Sequence, residues 1–300
     1  MKTLYSNIFL ISIILTISSC SSNDNDQKEL VNDKDQVVEQ VSNESSDDNI
    51  FYQVPTPNEL FAVLKNANVT YNKECLNDVA NSKKYITKAS KALNFGVYTA
   101  DLAYVTSLGN FEDASPLFET VRDLAKELEI ENAIDQIIFQ RLQENLENSN
   151  ADSLFYLSNE TYYSAYTYLE ENDRKDVLAM IVVGGWVEGL SIILNLEPYS
   201  ENSEICQRIA DQKLTLENLL IFSSSNNNLI PDIVSELENI NKVFLASNDI
   251  EEDYTESTNV ENDKGVMVFG GGSPSSLSEE QFNQLKSIVM DLRTSIIEGN

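Results

Sequence analysis

Apolar residues recur at helical spacing along most of the chain, and one stretch departs from that rhythm by being apolar on nearly every side. It runs from Asp173 to Leu196: after a charged first turn, Val177 to Val187 contains no charged residue, and Glu188 and Gly189 follow at once. A helix that is apolar all round is enclosed by other helices. The pattern therefore predicts a central helix over 173–196. Its uninterrupted run is about half of the roughly 20 residues that a membrane span requires, which favours a core helix over a transmembrane one.

The remaining periodic segments predict helices around it. Thr56-Pro-Asn-Glu59 has the form of a capping box with proline at the first helical position, leading into Leu60, Phe61 and Leu64. Asn72 to Leu108 reads as one long helix ended by Gly109, with Leu76, Val79, Ile86, Leu93, Val97 and Tyr104 on its apolar side and small residues Ala92, Gly96 and Ala100 at four-residue spacing. Ser115-Pro116 is expected to start the next helix. A break near Glu129 leads to another carrying Ile134, Ile137, Ile138, Arg141 and Leu142, and Asp152 opens a tyrosine-rich one. Ser203 to Phe222 and a helix opened by Pro231 follow, separated by the polar run Ser223 to Asn228. The last helix has a capping box at Ser278 and Gln281, a hydrophobic staple of Leu277 and Phe282, and a stripe of Leu285, Val289, Leu292 and Ile296. Between the last two helices, acidic and Thr/Ser-rich sequence and Val266-Met-Val-Phe269 predict a small β-hairpin or extended arm near 254–269, and Gly270-Gly-Gly-Ser-Pro274 a hinge. The expected architecture is all-α, with about eight helices packed around the central one.

One weak internal echo relates Gly96-Val-Tyr98 and Asp101 to Gly184-Gly-Trp186 and Glu188, with a one-residue gap. It does not establish a repeat protein. It suggests two helices that pack through small residues, each bearing an aromatic and an acid. The pair Gly185-x-x-x-Gly189 is read as a helix-packing notch.

The N-terminus follows different rules. Met1-Lys2 precedes an apolar run from Ile8 to Ile17 interrupted only by Ser12 and Thr16, then Ile17-Ser-Ser-Cys20. This is the layout of an export signal, 1–19, and not of a membrane helix. Ile17-Ser-Ser-Cys20 resembles the lipobox of bacterial lipoproteins. That resemblance implies cleavage before Cys20, acylation of Cys20 and a stable membrane anchor, since several acyl chains bind far more firmly than one. From Ser21 to Asn49 nine acids and two lysines stand among Ser, Asn and Gln with no aromatic residue, so 20–49 reads as a lipidated cysteine followed by a disordered acidic tether, and 50–300 as the helical domain. Cys20-Ser-Ser-Asn-Asp-Asn-Asp26 resembles the acidic surface-export signals of some Gram-negative lipoproteins, and the folded part is similar to all-helical envelope lipoproteins. The implied location is the outer membrane, with surface-exposed and periplasm-facing orientations both open.

Charge and composition narrow the function. With 49 acidic and 20 basic residues the net charge is -29, which repels phosphate backbones, so nucleic acid is not an expected partner. The chain has no histidine. That excludes Ser-His-Asp and Cys-His catalysis and His-ligated zinc. No metal-ligand spacing, P-loop or dinucleotide fingerprint is present, so no metal or cofactor is expected.

Asp101 and Glu188 are the residues that invite a functional reading. No Lys or Arg lies from Ala92 to Val121 or from Asp176 to Gln207, so neither acid has a cation within reach along its own helix. One reading makes Tyr98, Asp101, Trp186 and Glu188 a ligand-binding pocket, with a histidine-free, carboxylate-dependent hydrolase acting on glycans as its enzymatic extension. The simpler reading, which the sequence favours, has each acid bonded to a tyrosine hydroxyl or met by a basic residue from another helix. The tyrosines between Asp152 and Glu170 could form a carbohydrate or protein contact face, or divide between core and rim. Cys75 and Cys206 either pair as a disulfide or remain two half-buried free thiols. The function expected is a membrane-anchored helical binding or scaffolding module, not an enzyme, for a protein or glycan partner.

Overall fold

The computed structural model describes residues 60–65, 69–131, 136–201, 203–225, 231–246 and 276–299. Contacts divide the chain after Asn49, and every described residue belongs to the second part, Ile50–Asn300. The signal, the tether, the start of the helix expected at Thr56, the arm near 254–269 and the hinge at Gly270 to Pro274 lie outside the described residues.

Nine α-helices make up the described fold: α1 (Lys88–Ser107), α2 (Phe111–Glu127), α3 (Gln136–Glu147), α4 (Ala151–Glu171), α5 (Lys175–Leu196), α6 (Glu204–Ala210), α7 (Gln212–Ser225), α8 (Pro231–Leu245) and α9 (Glu279–Glu298). Short 3₁₀ turns at Ala62–Lys65, Lys73–Cys75 and Val79–Lys84 precede them, and there is no strand among the described residues. The domain is all-α. The expected central helix is α5, and every residue from Val177 to Leu194 is buried. It is long and apolar enough to cross a membrane, but protein covers all of its most apolar window.

Helix α1 makes the most extensive contact with α5. The two run parallel and nearly in step, because Lys88 pairs with Asp176 near their starts and Gly96 meets Ile181 and Gly185 further along. The sequence echo thus joins residues that are neighbours in space. Around this pair the remaining helices form two rings. In one, α1, α2, α3 and α4 each pack on the next and α4 returns to α1. In the other, α5, α7, α8 and α9 do the same and α9 returns to α5. The rings are stitched where α4 touches α5 and α9 touches α1.

Local chemistry explains where the expected boundaries move. Asn72 to Leu108 is three elements and not one helix. The side chain of Asn72 accepts from the Glu74 amide, that of Asp78 from the Ala80 amide and that of Thr87 from the Ser90 amide, so each caps a fresh turn. Ile86 consequently lies in a connection, 84 % exposed, and not on a core stripe. Helix α2 starts at Phe111, with Pro116 inside it and not at its first turn. The segment Ser203 to Phe222 is divided at Asp211 into α6 and α7, although Ile205, Ile209, Leu216 and Leu219 are all buried as their spacing predicts. Residues Ser223 to Ser225, expected in a loop, complete α7. The α9 capping box is fully formed, with both Leu277 and Phe282 buried beside it.

Candidate functional site

Asp101 on α1 and Glu188 on α5 come together. Gly96 precedes the first and Gly184 the second by about one turn, and these glycines let the helix backbones touch. A methyl group on Gly96 would stand 2.0 Å from the Ile181 carbonyl oxygen, and one on Gly184 only 1.9 Å from that of Leu93. The notch is therefore Gly96 over Ile181 and Gly185, and Gly184 over Leu93. Gly189, expected to share it, instead faces the side chains of Leu60 and Phe61.

Each acid is wholly enclosed, at 0 % exposure. Glu188 is met from α9 by Arg293, whose Nε donates to Oε2 at 2.6 Å and whose Nη2 donates to Oε1 at 2.7 Å. Nη2 also donates to the Cys75 carbonyl at 2.8 Å, which ties the 3₁₀ segment to the pair. Burial disfavours the charge on Arg293, but the Glu188 carboxylate outweighs it and raises the guanidinium pKa. The fork geometry of arginine suits such a buried carboxylate.

Asp101 is held differently. Its Oδ2 accepts from the Asn77 amide at 3.1 Å, while its Oδ1 has no fixed donor. Burial first, and then the charge and hydrogen bond of Glu188, push the Asp101 carboxyl well above the usual carboxylate range. A proton shared with Glu188 would satisfy the otherwise orphaned oxygen. The pair then carries one negative charge, which Arg293 neutralises.

Aromatic hydroxyls close the surroundings without entering a cleft. The Tyr98 hydroxyl donates to the Asp78 carbonyl at 2.8 Å, and Tyr85 accepts from Asn77 and donates to the Ile297 carbonyl. Burial raises the pKa of both phenols. Tyr98 thus belongs to the junction. Trp186 does not: two residues from Glu188 it points another way around the helix, its Nε1 donating to Gln212 of α7 at 3.1 Å. The expected pocket of Tyr98, Asp101, Trp186 and Glu188 is not assembled. Both carboxyls are fully buried and Glu188 is engaged by Arg293, so neither is open to a glycosidic oxygen. Cys75 and Cys206 are both buried free thiols, so the disulfide is absent, and burial raises the Cys75 thiol pKa. Among the described residues no cluster of His, Cys, Asp and Glu could hold a metal ion.

The tyrosines of α4 divide between interior and surface. Tyr166 is buried, Tyr168 is half-buried and Tyr163 is exposed. The side chains of Tyr156 and Tyr162 lie outside the described residues.

Two open hollows stand out among the described residues. One, beside Tyr168, is edged by Lys88, Lys126 and Arg174, but these are already engaged by Asp176, Asp123 and the carbonyls of Leu128 and Glu129. The other is a groove of about 790 Å³ where the start of α1, the start of α8 and the end of α9 converge. Leu93, Ile233, Ile288, Leu292 and Ile296 contribute its apolar surface, and Asp232, Glu236 and Asp291 its charged one. Among the described residues, no Lys or Arg lines it.

Arg293 and this groove are what sequence reasoning missed. Arg293 lies four residues after Val289 and beside Leu292, within the buried stripe of α9, and a cation inside an apolar stripe is a legible signal of a buried partner. The groove has no such signal, because its residues come from three separated segments. Against models of known protein families, curated proteins and solved structures, the chain finds no match.

Proposed function

We propose that the protein is a lipid-anchored lipoprotein of the bacterial outer membrane whose all-helical domain is a binding or scaffolding module, with the groove between α1, α8 and α9 as its binding face. The observation that carries the binding role is the contrast between the two candidate sites. The groove is open, apolar within and charged at its edge, the ordinary make-up of a recognition site. The carboxylate pair is sealed and neutralised by Arg293, which supports a structural role over glycan hydrolysis.

Anchoring rests on Ile17-Ser-Ser-Cys20 and the apolar run before it, with the acidic sequence to Asn49 as a tether. Acylation at Cys20 would hold the domain at the membrane while its net negative charge keeps it from lying on anionic headgroups. The partner sought is a protein or glycan. Metabolic labelling with an alkynyl fatty acid, followed by membrane fractionation, tests the anchor: Cys20→Ala should lose both acyl label and membrane retention. Unchanged membrane association of the variant would sink this reading.

A further inference from the structure

We infer that the groove between α1, α8 and α9 receives a cationic amphipathic peptide segment, with apolar residues against its floor and Lys or Arg side chains at its edge. The inference rests on reading that groove as the binding face, and it specifies the occupant's chemistry.

The floor comes first. Leu93, Ile233, Leu292 and Ile296 are buried, yet they also line the groove, so they mark its deepest part, and half-buried Ile288 extends the apolar surface outward. A volume of about 790 Å³ lies within the range of ligand pockets, and a row of apolar side chains from one face of a helix fits such a trough. Burial of those side chains supplies affinity but does not choose between charged partners.

Two observations on the edge choose a cation. Asp232, Glu236 and Asp291 face the groove from two helices, and among the described residues no basic one lines it to neutralise them. Asp291 and Glu236 have no ion pair among the described residues; Glu236 meets only the amide of Asn239, at 3.4 Å. Asp232 is partly committed, since it stands in the first turn of α8 where the helix dipole favours an acid. The last turn of α9 also borders the groove at Ser295 and Ile296, but its carbonyls are already met, that of Ile296 by the Asn94 amide and that of Ile297 by the Tyr85 hydroxyl, so it adds no preference of its own. A cationic side chain placed at this rim meets the carboxylates of Glu236 and Asp291 together.

A free polyamine would satisfy the rim and waste the floor. A neutral apolar ligand would do the reverse. A segment with lysines or arginines on one side and aliphatic residues on the other uses both.

The test uses the mature full-length chain and a fluorescein-labelled helical peptide of roughly 18 residues built from Leu and Lys with one apolar face. A second probe carries Gln for every Lys. Because the whole protein is acidic, the comparison that matters is between two triple variants of equal charge: Asp232→Asn/Glu236→Gln/Asp291→Asn at the rim, and Glu112→Gln/Glu201→Gln/Glu217→Gln elsewhere. Thermal unfolding establishes that each is folded. In anisotropy titrations the rim variant should bind the Lys peptide at least about tenfold more weakly than the wild type, and the distant variant within about twofold. Equal loss in the two variants would overturn the inference, since the peptide would then be following overall charge. Ile288→Arg, which places bulk and charge over the floor, should weaken Lys-peptide binding further. If the Gln peptide binds as tightly as the Lys peptide and Ile288→Arg blocks it, the groove stands as a binding face and the cationic occupant falls. If neither peptide is affected by Ile288→Arg, both readings fall.

Discussion

The α1–α5 seam has two ends that solve one problem by opposite means. At the Gly96–Gly184 end the helices approach by having no side chain at all, and backbone lies on backbone. About one turn later, at Asp101 and Glu188, the seam is filled by ionisable side chains whose charge is cancelled by a proton and by Arg293 from α9. The first end is defined by shape and the second by charge balance. Shape held by backbone has no substitute elsewhere in the chain, whereas charge balance can be restored by changing the partner.

The largest effect should come from removing the cation. Arg293→Ala leaves Glu188 buried beside Asp101 without compensation and is expected to cost about 3 to 5 kcal/mol of unfolding free energy. Urea denaturation measures this. The double change Arg293→Met/Glu188→Met, which removes both charges and keeps the volume, should recover most of the loss. A double variant as unstable as the single one would mean that packing, not charge balance, governs this end.

Gly184→Ala should follow, at about 3 kcal/mol, because the obstacle is the Leu93 carbonyl oxygen and the backbone cannot turn aside. No side-chain change on α1 should restore it, since the contact involves backbone alone. Its midpoint in the same titration checks both statements, and a suppressor at a neighbouring side chain would erase the contrast between the two ends.

How much of this was legible in the sequence follows the same division. The all-round apolarity of Val177 to Leu194 disclosed the central helix, since enclosure needs only composition. The echo between Gly96 to Asp101 and Gly184 to Glu188 placed both acids at one junction, because parallel helices in step bring equivalent residues together. The error lay in one notch partner: spacing along α5 joins Gly185 to Gly189, but the facing helix meets Gly185 and Gly184 while Gly189 turns to Leu60 and Phe61, and only the relative rotation of the two helices decides this. The long helix from Asn72 failed because Asp78 and Thr87 cap new turns, a local competition that an apolar period does not register. The groove was not legible, because Leu93, Glu236 and Asp291 meet only after three helices have docked.

The effect that is smallest per pH unit sharpens the charge-balanced end most. The Asp101 pKa is raised on folding by burial and by Glu188, so the folded protein holds a proton that the unfolded chain releases above about pH 4. Its contribution is complete below the unfolded value and is lost as pH rises towards the raised folded one. In that window the linkage slope is negative: unfolding free energy should fall by about 1.4 kcal/mol for each pH unit while one whole proton separates the states. Asp101→Asn keeps an acceptor for the Asn77 amide and places a fixed donor towards Glu188. It should therefore remove this part of the slope and make the variant more stable than the wild type at neutral pH, with the advantage shrinking as pH approaches 4. Paired urea titrations from pH 4.5 to 8 read the difference. Parallel curves for the two proteins would show that Asp101 takes up no proton on folding, and the two acids would then have to be balanced by Arg293 alone.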